Sequence, residues 1–254
     1  MQEAWTRVDG RLVRSRSTGV LSDLPEIVIL PGLGAPSYVE PWANELGRWT
    51  RATVLDLPGW RAGRGRASPS TVGGVARATT GWLRETDARN VVLVGHSSGA
   101  ESAIRTALVV PDRLAGLVLG GPTLQPEARW PGTLVVRFFR TIYHEKWSEV
   151  PTVVPWHLRG GFGWLRLVRS VVRDRPEDLI GQLELPVLVL TGLRDRFAPP
   201  AWAEHLAELS GGRYATMPGA HNFCFTAPRP AATAVLDAVL RWTTAAGSHT
   251  RHPG

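Results

Sequence analysis

Short apolar runs alternate along this chain with longer stretches whose apolar residues recur at helical spacing. The runs are rich in Val, Ile and Leu at successive positions, which is typical of parallel strands covered by helices on both faces. They lie at Ile27–Leu30, Thr53–Leu55, Val91–Val94, Leu114–Leu119 and Val187–Leu190, and a further strand is expected at Arg213–Met217. Helices are expected at about Pro41–Trp49, Thr71–Thr86, Ser98–Val109, Ala201–Leu209 and Arg229–Trp242. This order predicts an α/β fold with a mostly parallel central sheet and helices on both faces.

Three segments depart from the alternation. Arg7–Arg16 is expected to form an antiparallel edge strand or a hairpin. Residues 122–178 carry tryptophans and amphipathic stretches over a length too great for a simple connection, so they are expected to form a helical lid over the sheet. The polar residues 243–254 are expected to be a flexible tail. We therefore expect one domain over residues 1–254, with its core at 7–121 and 179–242.

The formal net charge of +7 raises the question of nucleic-acid binding. The basic residues are scattered, however, and Lys146 is the only lysine. The densest basic stretches are Arg11–Arg16 and Arg61–Arg66, and the second is a Gly-rich segment without interleaved aromatic residues. These arginines are typical of a solvated surface, and we expect no nucleic-acid partner.

Cysteine usage and the apolar runs limit the remaining classes. Cys224 is the single cysteine, which excludes an intramolecular disulfide, and no Cys/His spacing typical of a metal site is present. We expect neither a metal nor an organic cofactor. The start of the chain lacks the features of a secretory signal and no run reaches the length of a membrane span, so we expect a cytoplasmic protein. The oligomeric state stays open.

A Gly-x-Ser-x-Gly sequence, Gly95–Gly99, directly follows the apolar run Val91–Val94 and precedes a helix. A sharp strand-to-helix turn is what a serine hydroxyl needs in order to project above a sheet as a nucleophile. Glycines without a Cβ let the strand and the helix approach each other around a strained central residue. The alternative is an ordinary loop pentapeptide, but the flanking strand and helix favour a nucleophile at Ser97.

A nucleophilic serine requires a base, and His221 follows the expected strand Arg213–Met217 in a Gly-containing loop. A neutral imidazole can take the serine proton and later return it. Asp195 follows the run Val187–Leu190 at the same sheet edge and is expected to orient His221, the alternative being an ordinary aspartate at the start of a turn. The other histidines are expected to pack, to lie on the surface or, within Gly95–Gly99, to point away from Ser97. They are His96, His144, His157, His205, His249 and His252.

With these motifs the chain resembles the α/β-hydrolase superfamily, from about Val8 to Trp242. The matching segments, in chain order, are Leu30–Gly34, Asp56–Trp60, Gly95–Gly99, Thr191–Pro199 and Met217–His221. The order Ser, Asp, His is the order of this fold. The resemblance implies that the backbone N–H groups of Leu33 and Ser98 form the oxyanion hole. Pro31 stands where the family usually has a histidine that supports this loop, and proline cannot donate a hydrogen bond.

The resemblance implies a serine hydrolase that cleaves a carboxylic ester, thioester or lactone of a small, largely apolar substrate through an acyl-enzyme on Ser97. Aromatic residues of the expected lid would supply an apolar pocket. They are Phe138, Phe139, Tyr143, Trp147, Trp156, Phe162 and Trp164. The alternatives are a carbon–carbon bond hydrolase, a lyase that uses Lys146, or a non-hydrolytic ligand-binding protein of the same fold.

Overall fold

The apolar runs form the middle of one eight-stranded sheet in the computed structural model, which describes residues 1–60, 66–129 and 150–249. The strands are β1 (Gln2–Val8), β2 (Arg11–Thr18), β3 (Glu26–Leu30), β4 (Ala52–Asp56), β5 (Val91–His96), β6 (Leu114–Gly120), β7 (Val187–Gly192) and β8 (Arg213–Met217). Their order is β1-β2-β4-β3-β5-β6-β7-β8. The hairpin β1–β2 is antiparallel and pairs antiparallel with β4, whereas all other neighbours are parallel. The predicted fold class is confirmed.

Helices cover both faces of the sheet. They are α1 (Glu40–Leu46), α2 (Val72–Glu85), α3 (Ser98–Val109), α4 (Val150–Gly160), α5 (Phe162–Val172), α6 (Pro200–Leu209), α7 (Phe223–Thr226) and α8 (Pro228–His249). Alternate residues of β3 enter different apolar clusters: Val28 and Leu30 pack with α2, α3 and α6, and Ile27 and Ile29 pack with α1, α7 and α8. The continuous apolar runs are therefore explained by burial on both sides of each central strand.

The strands end together at the edge where the candidate site lies. Parallel pairing sets Leu30 of β3 beside Gly95 of β5, and His96 of β5 beside Gly120 of β6. The loops that follow β3, β5, β6, β7 and β8 therefore start close to one another. This is the edge at which open α/β sheets bind ligands.

The last helix corrects one sequence expectation. The helix expected to end at Trp242 continues to His249, so residues 243–249 are helical, while a flexible tail at 243–254 stays a prediction. The segment contains two alanines and no proline, and the next proline is Pro253, so nothing in it stops the helix at Trp242. Residues 250–254 lie outside the described residues.

Two helices of the expected lid, α4 and α5, lie against the loops that follow β3 and β4. A Cβ on Gly160 would come within 2.9 Å of the Trp60 ring, and the Ser170 hydroxyl accepts a 3.0 Å hydrogen bond from the Val72 N–H. The boundaries of a lid at 122–178 stay a prediction. Residues 130–149, which include Phe138, Phe139, Tyr143, Lys146 and Trp147, lie outside the described residues.

Candidate active site

Ser97 occupies a sharp turn between β5 and α3. Its backbone lies at φ 54° and ψ −128°, a conformation that is strained for a residue with a side chain. A Cβ on Gly95 would lie 2.4 Å from the Gly99 carbonyl oxygen, and one on Gly99 would lie 2.3 Å from the Leu30 carbonyl oxygen. Both glycines are therefore required for the close approach of strand and helix that holds the serine in this conformation.

The side chains of Ser97, His221 and Asp195 form one hydrogen-bonded series. The distance from Ser97 Oγ to His221 Nε2 is 2.9 Å, and that from His221 Nδ1 to Asp195 Oδ2 is 2.8 Å. Because a carboxylate only accepts, His221 carries its proton on Nδ1, and Nε2 is left to accept the serine hydroxyl proton. The structure thus brings together the three residues that the sequence predicts.

Backbone groups hold the Asp195 carboxylate in place. Its Oδ1 accepts hydrogen bonds from the Phe197 N–H at 2.8 Å and the Ala198 N–H at 2.9 Å, which leaves Oδ2 for His221. The carboxyl group is almost fully buried, so its orientation depends on these donors rather than on water. Such a carboxylate fixes one ring orientation of His221.

Glycines leave room for the Asp195–His221 pair. Gly121 has φ +52°, and a Cβ there would lie 3.1 Å from His221 Nδ1 and 3.3 Å from Asp195 Oδ2. A Cβ on Gly192 would lie 2.0 Å from the Ala220 carbonyl oxygen. The loops that carry the acid and the histidine therefore pack backbone to backbone, and a larger residue at either glycine would separate them.

The loop after β3 passes directly beside the serine. A Cβ on Gly32 would lie 2.6 Å from the Ser97 Cβ and 3.1 Å from Ser97 Oγ. The next residue, Leu33, has φ 44° and ψ 30°, and its N–H donates to the Ser98 hydroxyl at 2.7 Å. Ser98 is the first residue of α3, where backbone N–H groups lack partners within the helix. Of the two N–H groups expected in the oxyanion hole, that of Ser98 thus follows Ser97 directly, and that of Leu33 lies on the neighbouring loop. The Ser98 hydroxyl accepts a hydrogen bond from the Leu33 N–H.

A profile of the family described as "Alpha/beta hydrolase family" matches residues 27–236. The match includes every residue of the candidate site and leaves out the strands β1 and β2. The chain belongs to the alpha/beta hydrolase family. Membership makes it an enzyme of the hydrolase class.

Two curated relatives resemble this hydrolase in sequence. The "Pimeloyl-[acyl-carrier protein] methyl ester esterase" of Methylococcus capsulatus is 30% identical over 219 residues, which cover 74% of this chain and 83% of the relative. The "2-hydroxy-6-oxononadienedioate/2-hydroxy-6-oxononatrienedioate hydrolase" of Cupriavidus pinatubonensis is 36% identical over 181 residues, 59% of this chain and 61% of the relative.

A solved structure supports the fold of the hydrolase. The enol-lactonase from Burkholderia xenovorans LB400 superposes with a TM-score of 0.72 at 20% identity, covering 93% of this chain and all 100% of that one. At this identity the likeness concerns the fold alone. In the described part of the hydrolase, no helix combines the length and apolar character needed to cross a membrane.

Sequence reasoning missed the surroundings of His96. This residue is fully buried, its Nδ1 lies 2.7 Å from the Tyr38 hydroxyl oxygen, and its Nε2 lies 3.0 Å from the His221 carbonyl oxygen. Burial, together with the neighbouring His221, lowers the pKa of His96 well below its usual 6.5. His96 therefore contacts the backbone of the base instead of simply pointing away, and no spacing along the chain links it to Tyr38.

The remaining histidines of the described ranges lie elsewhere. Burial in α4 lowers the pKa of His157 to about 4, and its ring packs 5.5 Å from that of Trp164. His205 lies half-exposed on α6. His144 and His252 lie outside the described residues, as does the side chain of His249. Among the described residues, no three His, Cys, Asp or Glu side chains gather as a metal site would require.

Proposed function

We propose that this hydrolase cleaves a carboxylic ester, thioester or lactone of a small, largely apolar substrate through an acyl-enzyme on Ser97. The observation that carries the proposal is the unbroken series from Ser97 Oγ through His221 to the buried Asp195 carboxylate. A serine hydroxyl is a weak nucleophile unless an oriented base accepts its proton as it attacks.

In the acylation step, Ser97 Oγ bonds to the substrate carbonyl carbon while its proton moves to His221 Nε2. The carbonyl π pair moves to the oxygen and forms the tetrahedral oxyanion. Collapse of that intermediate breaks the bond to the leaving group, which takes the proton from His221. Asp195 stabilises the imidazolium that exists between these two transfers. Water then repeats the sequence on the acyl-enzyme and releases the acid.

The backbone N–H groups of Leu33 and Ser98 are proposed to stabilise the oxyanion. Donors fixed before the reaction are commonly worth about 3–4 kcal/mol each in the transition state. The Leu33 N–H donates to Ser98 Oγ in the free enzyme, so the Ser98 hydroxyl has to turn aside and release this N–H when a substrate oxygen arrives.

The substrate class is supported by the relatives and by the apolar groups around the site. One curated relative is named as a methyl ester esterase. The Phe197 ring lies 5.4 Å from that of His221, and the Phe223 ring lies 5.5 Å from that of His96 behind it. Apolar walls of this kind suit a largely apolar acyl or alcohol group.

Cleavage of a carbon–carbon bond is the second candidate, because the Cupriavidus relative is named as a hydrolase of a 2-hydroxy-6-oxo dienedioate. The same serine and histidine can serve both reactions, so substrate preference has to separate them. Turnover of a 6-oxo-dienoic acid with no turnover of esters, thioesters or lactones would favour the carbon–carbon reaction.

A fluorophosphonate probe tests the nucleophile. Ser97 should be labelled, as mapped by mass spectrometry, and labelling should vanish in Ser97→Ala. Ser210→Ala is the matched control, because Ser210 lies at the end of α6 and its hydroxyl donates to the Ala207 carbonyl. The labelled site and the labelling rate should not change in that control.

Turnover tests the rest of the proposal. Wild-type enzyme should hydrolyse a series of short aryl esters, and wherever hydrolysis of the acyl-enzyme is slower than its formation, an initial burst of phenol should approach the enzyme concentration. An unlabelled Ser97, or equal turnover by Ser97→Ala, would overturn the proposed mechanism. Labelling at Ser97 without turnover of any ester, thioester, lactone or dienoic acid would favour a ligand-binding protein instead.

A further inference from the structure

A buried series of hydrogen bonds joins the loop after β3 to the loop of His221, behind Ser97. The Gly32 N–H donates to the Tyr38 hydroxyl oxygen at 2.6 Å. That hydroxyl lies 2.7 Å from His96 Nδ1, and His96 Nε2 lies 3.0 Å from the His221 carbonyl oxygen. Tyr38 is 3% exposed and His96 0%, so these polar groups depend on each other, and not on water, for their hydrogen bonds.

The acceptors along the series set the direction of its hydrogen bonds. A carbonyl oxygen can only accept, so His96 Nε2 carries a proton and donates a hydrogen bond to the His221 carbonyl oxygen. His96 is neutral, because burial and the nearby His221 ring disfavour its charged form, and its Nδ1 is therefore an acceptor. Tyr38 donates to that nitrogen, which leaves the tyrosine oxygen to accept the Gly32 N–H.

Packing holds the two side chains in this arrangement. The His96 ring lies 5.3 Å from that of Tyr38, 5.2 Å from that of His221 and 5.5 Å from that of Phe223. A Cβ on Gly120 would lie 3.2 Å from His96 Cδ2, so the end of the neighbouring strand β6 also contacts the ring. Packing on these sides holds the plane of the ring, and the two hydrogen bonds decide which nitrogen faces Tyr38.

We propose that Tyr38 and His96 are positioning residues. They fix the loop after β3, which carries Gly32 and Leu33, and the loop after β8, which carries His221, at a constant separation on either side of Ser97. The inference rests on the proposed function of Ser97 and His221. Pro31 has no N–H and no donor side chain, so no hydrogen bond can be donated from that position. The bond from the Gly32 N–H to Tyr38 supplies the support from the next residue instead.

Misplacement, rather than loss of a reacting group, is the expected consequence of breaking the series. Neither Tyr38 nor His96 contacts Ser97 Oγ through the hydrogen bonds described, whereas both determine the backbone positions of groups that do. A shift of about 1 Å in such groups can cost about 100-fold in rate. The substitutions should lower kcat more than they change KM, because the oxyanion and the imidazolium form only during the reaction.

Tyr38→Phe tests the inference, with Tyr214→Phe as the matched control. Tyr214 is the second residue of β8, near the opposite end of that strand from the His221 loop, and its buried hydroxyl has no hydrogen-bond partner among the described residues. Tyr38→Phe should lower kcat and the rate of fluorophosphonate labelling by about 10- to 100-fold with KM nearly unchanged. Tyr214→Phe should leave both rates at the wild-type value. Equal rates in wild type and Tyr38→Phe would overturn the inference.

Variants of His96 separate positioning from general packing. His96→Gln keeps an N–H near the His221 carbonyl, whereas His96→Phe keeps the ring shape but no polar atom. Positioning predicts that His96→Gln retains more kcat than His96→Phe, while a purely steric role predicts the reverse order. The result stands apart from the proposed function, because wild-type labelling at Ser97 is measured in the same experiment. An unlabelled wild-type enzyme contradicts the nucleophile, and a labelled one with the reverse order contradicts the positioning role.

A spectroscopic measurement on the wild-type enzyme tests the direction of the series without any variant. In wild-type enzyme with ¹⁵N-labelled histidine, His96 should show a protonated Nε2 and an unprotonated, hydrogen-bonded Nδ1 at neutral pH. A protonated Nδ1 or a charged ring would overturn the directional series. In Tyr38→Phe the Nδ1 resonance should move to the value of an acceptor without a partner, and in Tyr214→Phe it should not move.

Discussion

At the scale of single residues, the Asp195 carboxylate determines which nitrogen of His221 faces the serine. Asp195→Asn replaces an acceptor with an amide that can donate to Nδ1, which favours the wrong tautomer of His221. We expect kcat to fall by about 10³- to 10⁴-fold with little change in the fold, measured with an aryl ester. Asp112→Asn, on the short turn before β6, is the control and should keep wild-type kcat. Equal activity of Asp195→Asn and Asp112→Asn would contradict the role of Asp195.

A second residue, Glu101, makes stability depend on pH. It lies in the first turn of α3, and one carboxyl oxygen accepts the Thr123 hydroxyl at 2.8 Å, while the other has no partner among the described residues. Burial raises the pKa of Glu101 from 4.5 to about 8. Below the usual pKa both the folded and the unfolded state are protonated, but between about pH 4.5 and 8 the unfolded state loses its proton first.

The free energy of unfolding should therefore decrease as pH rises through this window and level off above it. Glu101→Gln removes the ionisation and keeps the shape of the neutral acid. We expect the difference in unfolding free energy between Glu101→Gln and wild type to grow in favour of the variant, on the order of 1 kcal/mol per pH unit. Urea unfolding at a series of pH values measures it, and a difference independent of pH would contradict the raised pKa.

At the scale of elements, the contact between β3 and α3 depends on a glycine. A Cβ on Gly99 would lie 2.3 Å from the Leu30 carbonyl oxygen, a backbone atom that cannot turn away. Gly99→Ala should therefore reduce the free energy of unfolding by about 1–3 kcal/mol or more and slow labelling of Ser97. Urea unfolding and the fluorophosphonate rate measure these two effects.

The same substitution on α2 is the control. A Cβ on Gly73 meets only the end of the Arg77 side chain, at 3.6 Å. Gly73→Ala should stabilise the enzyme by about 0.5–1 kcal/mol, since alanine favours the helix and restricts the unfolded chain. Destabilisation of equal size in both variants would show that the close approach of β3 and α3 is not what Gly99 provides.

The elements also explain how far the sequence could predict the site. Ser97, Asp195 and His221 could be predicted because each follows an apolar strand, and the carboxyl ends of parallel strands meet at one edge. The contact between Tyr38 and His96 spans 58 positions and depends on side-chain directions in a turn, for which no periodicity exists. A pattern of apolar residues specifies which faces are buried, but not which buried polar groups find each other.

At the scale of the whole molecule, one ion pair ties the end of α5 to the core. Arg105 of α3 donates from Nε and Nη2 to Asp174 Oδ1, at 3.1 and 2.6 Å, and the Asp174 side chain is 6% exposed. Burial raises the pKa of Asp174, and the Arg105 guanidinium counteracts that rise. Without Arg105 the carboxylate would be buried and unpaired, and movement of the segment into water would relieve that cost.

Arg105→Met should therefore loosen α4 and α5 while the sheet stays intact. We expect amide hydrogen exchange in 162–172 to accelerate by about tenfold or more, with exchange in β5 and β6 unchanged, because such segments open independently of the core. Arg113→Met is the control, since Arg113 pairs with the exposed Asp87 at the other end of the sheet and should not alter exchange in α5. If β5 and α5 accelerated together in Arg105→Met, α4, α5 and the sheet would be one cooperative unit, which would contradict the expected separate opening of α4 and α5.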